Sequence, residues 1–448
     1  MHPYKLTLTA SLLALSFAAG PVASQSGVAP PPASQTTPQA PQAEFTLAQI
    51  LALAQSTNKG VEAAQANVDA ATAAIDTARA WPNPQVEVMQ GRVSARQPGV
   101  AAGYAPSYAF TQKLDYPHQR SLREAMAGRG LEASQAQRLA FEAELAARVK
   151  TAYFDVLRRE SELAAAREDL AMMRQIHERA RLRVQVGEAP RYESIKAETE
   201  LLATQKTLLT AGLRVNQAKA TLRQQVGGGL PGEFHLAGEL GQTPGLPPLP
   251  ALRDTVQGQN AELTQRRSQL EQARLDMDYQ RSLRWPDVAV RASTDRQPDN
   301  TVSQVGLVLT IPLWDRRRGP VSEATARATQ ARHALEAREF ELAQELETAY
   351  RQYEITQAQV TALESGIVRE AESALAVAES AYRFGERGIL DYLDAQRVLR
   401  GARNDLITAQ YDLQVAAIQI EKLTSASASA STSTSPSTAP ASPTSGIR

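Results

Sequence analysis

Residues 119–186 and 320–384 are each free of proline beyond their first position and carry apolar residues on a three-four spacing that recurs every seven. In the first, Leu145, Val149, Ala152 and Val156 lead into Leu163, Ala166, Leu170 and Met173. In the second, Leu342, Leu346, Ala349 and Tyr353 lead into Val360, Leu363 and Ile367. Such a period predicts helices packed side by side as coiled coils. At 1.5 Å of rise per residue each segment would be on the order of 100 Å long, which excludes an ordinary globular domain. Much of each seam is alanine, so the helices can approach closely while each contact stays weak.

Both segments end at a glycine-marked turn, and the turns resemble each other. VGEAPRYESIKAETELL from Val186 matches FGERGILDYLDAQRVLR from Phe384, with Gly187 over Gly385, Glu188 over Glu386 and Ala197 over Ala395. Upstream, Trp81-Pro82 before QVEV is echoed by Trp285-Pro286 before DVAV, and Glu124-Ala125 by Glu323-Ala324. The intervals are all roughly 200 residues, as a tandem duplication requires.

In order, residues 1–24 read as a secretory signal, with Lys5 before an apolar run and small residues near Ala23. Residues 25–44, poor in bulky side chains, are expected to be a disordered leader. The first repeat, 45–226, comprises a helix capped by Thr46 and running to about Ala80, a strand pair, the long helix, the glycine turn and a returning helix. The strands are expected at Gln85–Val93 and Tyr104–Leu114 from their alternation. A glycine- and proline-rich linker, 227–250, leads to a second repeat of the same order at 251–424, with strands at Asp287–Asp295 and Val302–Leu313. Residues 425–448, rich in Ser, Thr, Ala and Pro, are expected to be a disordered tail. The two shorter helices of each repeat, laid end to end, match its long helix, so each repeat is expected to be a rod with strands at one end and a glycine turn at the other.

Equal numbers of basic and acidic residues, with few aromatics, argue against a nucleic-acid partner, and the absence of cysteine excludes thiol chemistry and a lipidated N-terminal cysteine. After the signal no uncharged apolar segment approaches the roughly 20 residues of a spanning helix. Four strands per chain are too few for a closed membrane barrel, which needs about eight, and an open edge cannot sit in lipid. A ring of copies would make a tube, with strands in a membrane and helices outside it.

The tandem glycine turns, the two helix-Pro-strand junctions and GxxxxxDxLDAQ at Gly385–Gln396 resemble the TolC-like outer-membrane efflux proteins of Gram-negative bacteria, over about Phe45 to Leu423. VGEAPRYESIKAETEL looks most like the outer-membrane components of heavy-metal efflux systems of the cobalt-zinc-cadmium type. The resemblance implies a mainly α fold with a small β part. Long helical hairpins would form a periplasmic α-barrel, and four strands per chain would enter a trimeric, twelve-stranded outer-membrane β-barrel. It further implies a homotrimer in outer-membrane lipid, joined by a periplasmic adaptor to an inner-membrane pump, that carries out no reaction and needs no cofactor.

Asp391 and Asp394, three apart on a helix, share a face just beyond the Gly385 turn. They match the family's acidic entrance ring, which would attract cations in a trimer; an ordinary solvated helix face is the other reading. Tyr382 and Arg387 match family positions that hold the tunnel end closed against the other repeat. Their expected partners are Tyr192 and Glu193, where the family pattern has a threonine and an aspartate. Gly187 and Gly385 suit a helix reversal, where positive φ is cheap for glycine; adaptor contact at these tips is implied by the family alone.

His118, His177, His235 and His333 lack metal-ligand spacing, and Gly227-Gly228-Gly229 lacks the lysine of a phosphate loop. No nucleophile and base converge, so an enzyme is disfavoured. A multidrug or protein-secretion duct of the same fold, or a periplasmic coiled-coil adaptor or scaffold, remain as alternatives.

Overall fold

A computed structural model describes residues 44–94, 96, 99, 101–242 and 245–425. The signal, almost all of the leader and of the tail, and part of the first strand pair's loop lie outside the described residues.

The first repeat begins with a short strand, β1 (Glu44–Thr46), and helix α1 (Leu47–Thr57). Thr46 caps α1 as its sequence suggests: its hydroxyl accepts from the Gln49 amide at 3.3 Å while the Gln49 side chain accepts from the Thr46 amide at 2.9 Å. The helix expected to run unbroken to about Ala80 stops at Asn58 and restarts as α2 (Lys59–Arg79). Strands β2 (Gln85–Val93) and β3 (Gly103–Leu114) follow, then α3 (Pro117–Gln185), the turn at Gly187, and α4 (Arg191–Val226).

The linker is partly folded. Its strand β4 (His235–Ala237) pairs in parallel with β1, an element too short to have a periodic signature. The second repeat then runs α5 (Leu249–Gln259), α6 (Ala261–Ser282), β5 (Asp287–Arg296), β6 (Thr301–Thr310) and α7 (Arg318–Ala362). A π-helical turn at Leu363–Ile367 joins α7 to α8 (Val368–Arg383), and the Gly385 turn leads into α9 (Ile389–Thr424). The long helix of the second repeat thus carries a widened turn that the first lacks.

The two helix breaks are the same device used twice. Asn58 Oδ1 accepts from the Gly60 amide at 2.8 Å, and its Nδ2 donates to the Gln225 carbonyl at the end of α4 at 2.9 Å. Asn260 Oδ1 accepts from the amides of Glu262 and Leu263 at 2.9 and 3.1 Å, and its Nδ2 donates to the Leu423 carbonyl at the end of α9 at 2.9 Å. One side chain therefore satisfies the free donors starting one helix and a free acceptor ending another, where three helix ends meet. Around these joints the cores are aliphatic: Ile50, Val149, Val156 and Leu222 pack in the first repeat, Leu263, Leu346, Leu413 and Ile420 in the second.

The four strands form one antiparallel sheet in the order β2-β3-β5-β6, which joins the two repeats through β3 and β5. Within the chain, β2 and β6 are its two edges.

Candidate functional site

The register fixes which side chains share each face of the sheet. Val86 lies opposite Phe110, Val88 opposite Tyr108, Val290 opposite Leu307 and Val288 opposite Leu309, so one face is aliphatic and aromatic across all four strands. Val86, Val305 and Leu307 are 70%, 79% and 67% exposed, an arrangement untenable in water over so broad a patch. The other face carries ionic pairs between strands: Arg291 with Glu87 at 2.8 Å and Lys113 with Asp287 at 3.0 Å, besides the Ser107–Asp295 hydrogen bond. Strands of about ten residues with this alternation suit a membrane barrel whose apolar face meets lipid and whose charged face meets a water-filled lumen. Among the described residues no helix is long and apolar enough to cross a membrane.

At the far end of the rods the two glycine turns have one geometry. Gly187 and Gly385 take φ of 79° and 74°. In each turn the following amide reaches back five residues, Glu188 to the Arg183 carbonyl and Glu386 to the Ala381 carbonyl, both at 2.9 Å. This double wrap ends a helix on a left-handed residue and reverses the chain within a few positions.

The tips of the two hairpins pack on each other through Met173, Ile176, Ala180, Leu375, Tyr382 and Tyr392. Tyr382 is the hub. It is 2% exposed and stacked on Tyr392 with ring centroids 5.8 Å apart. From the first hairpin, the Arg183 guanidinium lies 4.9 Å from its ring centroid and donates to its carbonyl at 3.2 Å. Its hydroxyl makes a long hydrogen bond of 3.5 Å to Glu193. Burial, and then the negative charge of Glu193, raise the Tyr382 hydroxyl's pKa above its ordinary value, so at neutral pH it is a neutral donor. Arg179 and Glu379 add an ion pair between the hairpins at 2.8 Å.

The other expected site residues are placed differently. Arg387 does not pair with Glu193; its carboxylate neighbour is Asp391, one helical turn on, at 3.7 Å. The reason is local: Arg387 precedes α9, and an acid in that helix's first turn lies within reach while favouring the helix N-terminus. Tyr192 is exposed. Asp391 and Asp394 both stand on the exposed face of α9, opposite buried Tyr392 and Leu393, and Asp394 has Arg397 at 3.4 Å. Each acid of the expected ring thus has an arginine beside it within one chain. Arg183 and Tyr392 went unnoticed because the repeat alignment sets each against an unlike residue. Among the described residues no group of His, Asp and Glu is arranged to hold a metal ion.

A family model described as outer membrane efflux protein matches residues 50–228 and 252–426. The chain is 24% identical over 383 residues to the cobalt-zinc-cadmium resistance protein CzcC of Cupriavidus metallidurans, covering 85% of this chain and 90% of that protein. It is 27% identical to the nickel-cobalt-cadmium resistance protein NccC of Alcaligenes xylosoxydans xylosoxydans, over 66% of this chain and 67% of that one. Among solved structures, the channel CusC superposes with a TM-score of 0.75 at 16% identity, covering 86% of this chain and 93% of that one.

Proposed function

This chain belongs to the outer membrane efflux protein family, and on that premise we propose that it is the outer-membrane duct of a three-part export system, closed as a homotrimer and engaged by a periplasmic adaptor and an inner-membrane pump. As a family member it is an outer-membrane efflux channel with the family's α-barrel and β-barrel fold. The observation that carries the trimer is the two-faced sheet with free edges at β2 and β6. Strand edges in lipid must be paired, and three copies would give roughly the strand number of a mid-sized barrel. The cargo best supported is divalent heavy-metal cations, on the strength of the resistance proteins it resembles. A passive duct needs no catalytic group, and the hairpin tips around Tyr382 and Glu193 are the place for a gate.

The absence of cysteine makes the test clean. One cysteine on β2, at Val86 or Val88, is combined with one on β6, at Ser303, Val305 or Leu307, and the membrane fraction is oxidised and run without reductant. The expected product is a covalent ladder that stops at three chains. Ladders that stop at one, or run past three, overturn the closed trimer. For the cargo, a strain lacking the gene should gain sensitivity to zinc, cobalt or cadmium; a strain sensitive only to organic toxicants moves the reading to a multidrug duct.

A further inference from the structure

All three tryptophans of the chain stand at the same end of the sheet, where strands meet helices: Trp81 before β2, Trp285 before β5 and Trp314 after β6. They are 57%, 70% and 94% exposed. Each has arginine beside it. The Arg120 guanidinium lies 5.1 Å from the Trp81 ring centroid, exposed Arg284 adjoins Trp285, and Trp314 is followed, after Asp315, by Arg316, Arg317 and Arg318. Among the described residues the Arg316 side chain donates to the Leu313 carbonyl alone, at 3.4 Å, and Asp315 is engaged by the Arg317 amide at 2.9 Å. Among the described residues none of the three guanidiniums forms an ion pair, although most arginines of the rods do.

The position of this cluster says what it meets. Along β6 and beyond it Val305, Leu307, Leu309, Ile311 and Leu313 continue the apolar face, so the chain leaves the hydrocarbon at Trp314 and meets the headgroup layer over the next few residues. Indole rings favour that layer, and guanidiniums there face the phosphates of the leaflet on the helical side. Building on the duct reading above, we propose that Trp314 with Arg316, Arg317 and Arg318 is a binding site for anionic phospholipid headgroups of the periplasmic leaflet. The guanidinium fork grips phosphate oxygens in pairs, which distinguishes this site from a merely aromatic belt. Its occupant is a lipid rather than a soluble phosphate, because the site continues the membrane face without interruption.

The test uses the purified oligomer carrying Trp81→Phe and Trp285→Phe, which leaves Trp314 as the sole indole. It is reconstituted into vesicles of phosphatidylcholine with a rising fraction of acyl-brominated phosphatidylglycerol, or of brominated phosphatidylcholine as control. The expected result is stronger quenching of Trp314 by the brominated phosphatidylglycerol at equal mole fraction. Replacing the three arginines by glutamine should remove that preference, with about fivefold lost per arginine, while the triple lysine variant keeps part of it. Equal quenching by both lipids overturns the proposal, as does a preference that survives in the glutamine variant. So does displacement by millimolar inorganic phosphate, which would mark a soluble-anion site. Dissociation of the glutamine variant's oligomer in detergent overturns it too, since the arginines would then be holding a neighbouring copy. Absence of quenching by either lipid is a different failure: it takes the sheet out of the bilayer and removes the duct reading itself.

Discussion

Asn260 offers the sharpest test of how the rod is jointed. It is 7% exposed, caps α6 with its carbonyl oxygen and closes α9 with its amide nitrogen. Asn260→Ala loses an N-cap worth about 1 kcal/mol. It also leaves the Leu423 carbonyl buried without its donor, a further penalty of about 1–3 kcal/mol. The sum, roughly 2–4 kcal/mol, is local to the joint, so it is best read by amide hydrogen exchange in peptides covering residues 255–266 and 418–425 of the detergent-solubilised oligomer. Protection there should fall by about thirtyfold to a thousandfold, while peptides at the hairpin tips keep theirs. Asn58→Ala, at a half-buried copy of the same joint, should cost about half as much. Asn260→Asp separates the two roles. Aspartate is as good an N-cap as asparagine, yet it puts an anionic oxygen where the Leu423 carbonyl needs a donor. If Asn260→Asp exchanges like the wild type, the amide nitrogen does nothing and the double-cap argument is refuted.

Gly385→Ala should destabilise the tip by about 1–2 kcal/mol from its left-handed backbone, seen as a lower melting midpoint. Gly187→Ala should do the same, and because among the described residues nothing lies within 4 Å of where its methyl would stand, any loss is conformational rather than steric. Tyr382→Phe and Glu193→Ala remove a contact between hairpins, so single-channel conductance in planar bilayers should rise more than in Arg387→Ser, whose partner lies on its own hairpin; equal conductance in all three removes Tyr382 from the gate. Asp391→Asn with Asp394→Asn should lower the cation-over-anion permeability ratio, and no change in reversal potential would leave these acids as solvated surface. The Asp169 carboxyl has its pKa raised, chiefly by burial and against the pull of Arg400 and Arg403. Its native state therefore holds its proton to higher pH than the unfolded chain, and the associated stability, full below the unfolded value near 3.9, is lost as pH rises through the native one. Asp169→Asn should accordingly flatten any decline of the melting midpoint as pH rises above about 4; an unaltered slope would assign that decline to other groups.

What the sequence disclosed about this fold is what repeats or has a period. The seven-residue spacing located both rods, the alternation placed the four strands within a few residues, and the paired glycines marked both reversals because positive φ leaves few alternatives. The π-turn at Leu363–Ile367 escaped, since a widened turn shifts the apolar register by a single residue and alanine-rich seams hide such a shift. The breaks at Asn58 and Asn260 escaped for another reason. Each stands inside a continuous helical pattern, and its signal is an asparagine recurring at the repeat interval, visible only once the side-chain amide is seen to serve two helix ends.

The site was less legible because pairing depends on rotation about the helix axis, which a spacing argument does not supply. Arg387 and Glu193 are complementary in charge and lie at neighbouring tips, yet a nearer acid in the first turn of the helix that follows takes the arginine. The hairpins are instead joined by Tyr382, whose ring accepts Arg183 and whose hydroxyl points to Glu193, and by Arg179 with Glu379. That choice of groups has a consequence for any gate built here. The exposed Arg179–Glu379 pair weakens with salt, whereas the buried Tyr382 ring and hydroxyl are hardly screened. Salt should therefore loosen the joint between the two hairpins only in part, the buried contacts of Tyr382 persisting until the hairpins are pried apart.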